Sequence, residues 1–225
     1  MKAETLRTLM RGLFRALTTV QTQDLDHIPA SGPCLLAVNH LSRLDGPLVL
    51  AYVRRPDLTA IVTDKYQAFP LMRWVVDTVG GIWINRGSGD VDAIRAARAY
   101  LQTGGALGIA PEGTRSTQQA LLPAKTGVAY LADITHVPVV PLAMWGTERV
   151  FNELVRLRRP RIGLRAGPAL HLPPVARKTR EADLQRNTDE IMAQLAALLP
   201  PAYRGAYADH PRLLELLAEG GAAGR

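Results

Sequence analysis

Apolar residues Leu6, Leu9, Met10, Leu13, Phe14, Leu17 and Val20 recur at the i, i+3, i+4, i+7 spacing of one helical face, with Arg7, Arg11 and Arg15 repeating every four positions beside them. The pattern predicts a basic amphipathic helix over 6–20. After a polar break at 21–26 the chain alternates short apolar runs with helical patterns. Strands are expected over 34–38, 58–63, 81–84, 106–110, 137–142 and 162–166, and helices over 46–53, 71–79, 91–101 and 126–132. Asp45 and Pro47 open the first of those helices, and Gly104 and Gly105 close the third. Leu184, Ile191, Met192, Leu195, Leu198 and Leu199 set another amphipathic helix that stops before Pro200 and Pro201. A short helical run over 213–217 precedes a Gly/Ala end expected to fray. Strands separated by helices imply right-handed crossovers, so the expected class is α/β: a single domain with a mixed, largely parallel sheet flanked by helices, plus the N-terminal basic amphipathic helix. The expected division is 1–22 for that helix and 23–225 for the main domain with its C-terminal helical tail.

Composition narrows the classes. A chain of 225 residues, 47% apolar and 21% charged, fits one globular domain and excludes a disordered tail or a disulfide miniprotein. Cys34 is the only cysteine, which rules out an internal disulfide and a Cys-rich zinc site and fits a reducing compartment. The net charge of +7 favours an anionic partner: nucleic acid, a phosphorylated metabolite or an acidic lipid surface. A membrane span needs about 20 mostly apolar residues; Arg73 and Asp77 interrupt the run 71–84, and 137–145 is too short. Arginines spread through the N-terminal segment do not resemble a secretory signal, so a cytoplasmic place is expected. The helix over 6–20 has two uses. It could lie in the interface of an anionic bilayer, which its arginines and its lack of any acid after Glu4 favour, or its stripe could pack on the domain.

His40 and Asp45, in Asn39-His40-Leu41-Ser42-Arg43-Leu44-Asp45, fall where a strand ends and a helix begins, the edge at which open α/β sheets bind ligands. On one continuous helix, residues five apart would diverge by about 140°. Across a strand-to-helix bend they can meet. A carboxylate on one imidazole nitrogen fixes the tautomer and leaves the other nitrogen to take a proton from a hydroxyl, an effect of roughly 10²–10⁴-fold. The same residues also fit a loop histidine followed by an N-capping aspartate. No Gly-x-Ser-x-Gly elbow occurs, Cys34 lies in an apolar run, and Ser42 is only two residues past His40. A substrate hydroxyl is therefore the more economical nucleophile.

Glu112-Gly113-Thr114-Arg115-Ser116 follows another strand end. Gly113 permits close approach of the backbone to a ligand, Thr114 offers a hydroxyl, and Arg115 a planar fork suited to phosphate. Arg86 ends the run Gly80-Gly81-Ile82-Trp83-Ile84-Asn85-Arg86, and Lys125 follows the Glu112 loop after a short spacer. Three cations on one edge suit a phosphomonoester, although each taken singly reads as a solvated surface cation. His27, His136, His171 and His210 show no metal-ligand spacing, and 86–90 lacks the ending of a nucleotide loop. The arginine cluster at 156–161 reads as a solvated hairpin edge, or as a contact for lipid phosphates or a carrier protein.

Taken together, Asn39-His40-x-Ser42-x-x-Asp45, the run 81–86, Glu112-Gly113-Thr114-Arg115 and Val137-Pro138-Val139-Val140-Pro141 resemble, in order and spacing, the four blocks of the glycerolipid acyltransferases, the bacterial 1-acylglycerol-3-phosphate acyltransferases above all. The likeness covers residues 31–146. It implies that His40 is a general base oriented by Asp45, and that Arg86, Glu112, Gly113 and Arg115 hold the glycerol phosphate, with Glu112 orienting a hydroxyl or an arginine and not touching the phosphate itself. Thr114 and Lys125 join that set from the residue reading above. The likeness also implies that Pro141 lies near the acyl chain. The implied reaction moves a fatty acyl group from acyl-CoA or acyl carrier protein to a lysophospholipid hydroxyl, giving phosphatidic acid, with no metal and no cofactor beyond the donor. The implied partners are the lysolipid, the donor and an anionic membrane surface on its cytoplasmic face, met peripherally, and no nucleic acid. Ala110 and Trp83-Ile84-Asn85 depart from the commonest pattern of that family. Two rival expectations are a thioester hydrolase built on the same His40–Asp45 pair and a non-catalytic module that binds acidic lipid.

Overall fold

A computed structural model describes residues 2–84 and 90–223 of the chain. Its strands are β1 (Thr19–Gln23), β2 (Cys34–Val38), β3 (Leu58–Thr63), β4 (Ile82–Ile84), β5 (Ala106–Ile109), β6 (Val139–Trp145) and β7 (Arg161–Ala166). Its helices are α1 (Ala3–Leu17), α2 (Asp45–Tyr52), α3 (Pro70–Thr78), α4 (Asp90–Gln102), α5 (Gly127–Thr135), α6 (Val150–Val155), α7 (Arg180–Leu198) and α8 (Pro211–Ala223). The strands form one sheet in the order β1-β7-β6-β2-β5-β3-β4. Every pair is parallel except β6–β7, so five strands run one way and β1 and β7 the other.

Strand alternation sends Cys34, Leu36, Val140, Leu142 and Met144 to one face, under Phe14 of α1, Leu48 of α2 and Val150 of α6. Leu35, Ala37, Leu107 and Val139 face the other way, under α4, α5 and α7. A strand covered on both faces has no polar side to show, which is why 34–38 reads as an unbroken apolar run. The five like-directed strands end together, and the turns after β2, β5 and β6 meet at that edge.

Several boundaries differ from those the periodicity predicts. The first helix ends at Leu17, and Val20 belongs to β1, a mostly exposed polar strand pairing parallel with β7. Edge strands of polar residues carry no apolar signature. A division between 22 and 23 would fall inside β1. Strand β6 runs on to Trp145, α8 extends to Ala223, and the six-residue α6 is too short for a helical period to register.

The N-terminal helix divides its apolar positions. Leu6 and Phe14 are buried, while Leu9, Leu13 and Leu17 are exposed. Arg7 and Arg11, read from sequence as part of an outward basic face, turn inward. Arg7 donates to the carbonyls of Arg55, Pro56 and Leu58 at 2.6, 3.2 and 2.8 Å, and Arg11 to that of Ala51 at 2.6 Å. The last carbonyls of a helix lack internal partners and carry partial negative charge, so the C-terminal turn of α2 attracts Arg11, while Arg7 satisfies carbonyls of the connection from α2 into β3. Only Arg15 of the three stays exposed. Among the described residues, no helix is long and apolar enough to cross a membrane.

Candidate active site

The turn after β2 is shaped by a side chain that imitates backbone. Asn39 donates its amide to the carbonyl of Met144 and accepts the Met144 N–H, both at 2.8 Å. The pairing of β2 with β6 is thus extended by one side chain, and the main chain leaves the sheet immediately. His40 follows.

Asp45 is the first residue of α2, yet its carboxylate does not cap that helix. Oδ2 reaches back to accept His40 Nδ1 at 2.8 Å and the N–H groups of Leu41 and Ser42 at 2.6 and 2.7 Å. Oδ1 accepts the hydroxyls of Ser42 at 3.3 Å and Thr147 at 2.5 Å. The carboxylate is 4% exposed, and the imidazole is 36% exposed. A buried, five-fold hydrogen-bonded carboxylate sets Nδ1 as the protonated nitrogen and leaves Nε2 with its lone pair toward the open side. Ser42 is engaged with Asp45 and with the Leu44 N–H, not with His40.

The loop after β5 holds the His40 backbone from both sides. Glu112 Oε1 accepts the His40 N–H at 3.0 Å, and the Ser116 N–H donates to the His40 carbonyl at 2.8 Å. Glu112 Oε2 accepts the Leu122 N–H at 2.8 Å. Glu112 is buried, and burial pushes its carboxyl above the ordinary glutamate range against the pull of those two N–H groups. Its carboxylate therefore joins two loops instead of facing a substrate hydroxyl or an arginine. Gly113, Thr114, Arg115 and Lys125 lie exposed on the same loop. Gly113 adopts a positive φ of 66°, and a Cβ there would stand 3.4 Å from the Lys125 stem.

The C-terminal tail, whose Tyr203 and Tyr207 are expected from sequence to pack on the domain, braces this loop. The Tyr203 carbonyl accepts the Leu121 N–H at 3.0 Å, and the Tyr207 hydroxyl accepts the Ala124 N–H at 3.1 Å. Tyr203 also donates to Glu148 at 2.8 Å, and burial together with that bond pushes its hydroxyl up to about 12. Thr147 was missed: a lone threonine after a strand carries no signal until the fold places it against Asp45.

Two sequence expectations stand apart. Pro141 is buried within β6 opposite Ala37, and its ring lies 2.9 Å from where a Cβ on Gly167 would be. Arg86 lies outside the described residues. Among the described residues, no three His, Cys, Asp or Glu side chains gather to hold a metal.

A largely parallel sheet presents a carboxylate-oriented imidazole and a cation-bearing loop at one edge, an arrangement chemically able to take a proton from a hydroxyl. The acyltransferase family model matches residues 19–145, more than half of the chain, and the chain belongs to that family. It is 30% identical over 131 residues to the chloroplastic 1-acyl-sn-glycerol-3-phosphate acyltransferase BAT2 of Brassica napus, covering 57% of this chain and 38% of that one. It is 37% identical over 90 residues to the lyso-ornithine lipid O-acyltransferase of Pseudomonas aeruginosa, covering 40% of this chain and 34% of that one. The matched segments thus span little more than a third of either relative. The fold is similar to that of the 1-acyl-sn-glycerophosphate acyltransferase PlsC from Thermotoga maritima, with a TM-score of 0.61 at 24% identity over 84% of this chain and 79% of that chain.

Proposed function

We propose that the chain transfers a fatty acyl group from a thioester, acyl-CoA or acyl carrier protein, to the free hydroxyl of a lysophospholipid, with 1-acylglycerol-3-phosphate as acceptor and phosphatidic acid as product. The observation that carries this reading is the 2.8 Å contact between His40 Nδ1 and the buried Asp45 carboxylate, with the ring open on its other side. In the proposed step, Nε2 takes the proton of the acceptor hydroxyl as its oxygen attacks the thioester carbonyl. The tetrahedral intermediate then expels the thiolate, which leaves with the proton held on the imidazolium. Asp45 stabilises the protonated ring between the two transfers. No acyl-enzyme forms, and the step uses no group beyond the donor.

Arg115 and Lys125, exposed on the loop that holds His40, supply positive charge where a phosphate would sit, with Arg86 assigned the same role. The relative named for lyso-ornithine lipid raises a second acceptor, one without a phosphate. The two cations favour the phosphate-bearing lysolipid. Segment 1–22 is proposed to meet the cytoplasmic face of an anionic membrane through the exposed Leu9, Leu13 and Leu17.

The test is an acyl-transfer assay with both thioester donors and a panel of lysolipids that includes lyso-ornithine lipid. Transfer to 1-acylglycerol-3-phosphate should vanish in His40→Ala. Arg115→Ala with Lys125→Ala should raise KM for the phosphate acceptor about tenfold or more, the loss of charge-assisted contacts. Thiol release from the donor with no acceptor present would instead identify a hydrolase.

A further inference from the structure

The connection between β6 and β7 carries features that the proposed chemistry does not use. Helix α6 ends in a Schellman motif: the Leu157 N–H donates to the Leu154 carbonyl at 3.0 Å and the Arg158 N–H to that of Glu153 at 2.9 Å. The residue of such a motif that takes the left-handed conformation is ordinarily glycine. Here it is Leu157, at φ 54°, and its side chain is 97% exposed. A branched apolar residue thus bears two costs at one position, an unfavourable backbone and an uncovered side chain. Val155 and Phe151 project beside it, 84% and 68% exposed. The segment 156–161 holds Arg156, Arg158, Arg159 and Arg161 with no acid, while Arg149 is paired with Glu148 at 3.2 Å.

We propose that this connection is a lipid-contact surface, in which Leu157, Val155 and Phe151 enter the interface of an anionic bilayer and Arg156, Arg158 and Arg161 meet its headgroup phosphates. The uncovered side chain is accounted for once its surroundings are apolar, the left-handed backbone being the strain borne to hold it there, and the charge complements an acidic surface. Continuity supports the same occupant. Arg159 donates to the Thr18 carbonyl at 3.2 Å and also to that of Arg15, and the Thr19 N–H donates to the Pro160 carbonyl at 2.8 Å. These bonds bind the turn to the end of α1, where Leu13 and Leu17 are exposed. The reactive edge is adjacent, since Phe151 stands four residues past Thr147, which touches Asp45. A bilayer seated here would present an acceptor's hydroxyl near His40 while its chain stayed in lipid. The inference extends the acyl-transfer reading and rests on it for that last consequence alone.

The variant Leu157→Gly separates binding from folding, because glycine relieves the left-handed backbone. It should keep or raise the melting temperature while weakening binding to phosphatidylcholine vesicles containing phosphatidylglycerol about tenfold, as loss of a buried leucine implies. Arg156→Ser and Arg158→Ser should each weaken that binding about fivefold and leave binding to pure phosphatidylcholine unchanged. In Leu157→Trp, brominated lipids in the same vesicles should quench the introduced indole. An unquenched indole on vesicle-bound protein would overturn the proposal, as would quenching-free emission shifts produced by an acidic acyl carrier protein instead. Transfer to a short-chain acceptor dissolved in water reports on the chemistry separately. It should be equal in the wild type and Leu157→Gly, and its absence from both would remove the acyl-transfer reading while leaving the vesicle result standing.

Discussion

Thr147 donates its hydroxyl to Oδ1 of Asp45 at 2.5 Å across 102 positions of the chain. It ties the end of β6 to the carboxylate that orients His40, so the imidazole is positioned from two strands at once. A hydrogen bond to a charged acceptor contributes about 1.5–3 kcal/mol. Thr147→Val should therefore lower kcat roughly tenfold or more with little change in KM, and Thr147→Ser should restore most of it. Steady-state kinetics of the three proteins would check this, and an unchanged kcat in Thr147→Val would remove the residue from the positioning set.

The turn that delivers Thr147 depends on Gly146. Its φ is 86°, and a Cβ there would stand 2.2 Å from the Arg161 carbonyl oxygen. Gly146→Ala must therefore shift backbone, not a flexible side chain, and should cost more than the ~1 kcal/mol of an ordinary glycine-to-alanine change at positive φ. Urea unfolding compared with Gly32→Ala, a positive-φ glycine with nothing within 4 Å, would isolate the close approach from the dihedral.

Glu112 should show its burial as a pH dependence. Because its folded-state pKa is raised, the folded chain holds that proton more tightly than the unfolded chain. Its contribution to stability is fully present below the ordinary glutamate value and declines as pH rises through the raised one. Urea titrations between about pH 4 and 8 should show this decline in the wild type and not in Glu112→Gln. The variant should also lose about 1–3 kcal/mol at neutral pH, since an amide nitrogen would face one of the two N–H groups that Glu112 accepts.

At the opposite edge of the sheet, Arg55 is buried and donates to Asp57 at 2.6 and 2.8 Å and to the carbonyls of Pro29 and Gly32 at 2.7 and 2.8 Å. Its hydrogen bond holds the Asp57 carboxyl below the ordinary aspartate range. A depressed pKa gives stability present above the unfolded value and lost as pH falls through the folded one. Arg55→Met should cost about 3 kcal/mol and flatten the acid limb of the stability curve. Activity per folded molecule should be retained, because the change is remote from His40.

Much of the architecture was legible along the chain. Strands β2, β3 and β5 and helix α7 announce themselves because elements buried on one or both faces must be apolar in a fixed period. From the residues alone the His40–Asp45 pair was legible as two alternatives, a catalytic pair or a loop histidine with a capping aspartate, and the family resemblance favoured the first. Which holds depends on where one carboxylate points, and that direction is set by N–H groups of Leu41 and Ser42 and by the distant Thr147. Polar β1 and short α6 were hidden because neither is long or apolar enough to leave a period.

By itself the sequence determined the class of fold, the edge on which chemistry gathers and the residue types available there, since these follow from local periodicity and chemical identity. Tertiary structure alone decided that Arg11 serves the end of α2 and Arg7 the connection into β3, that Glu112 braces backbone, that Pro141 stays in the sheet, and that α1 shows one apolar stripe while burying another. Each of those outcomes is a competition between partners far apart in the chain for the same donor or the same buried face. Position along the sequence carries no information about which partner wins.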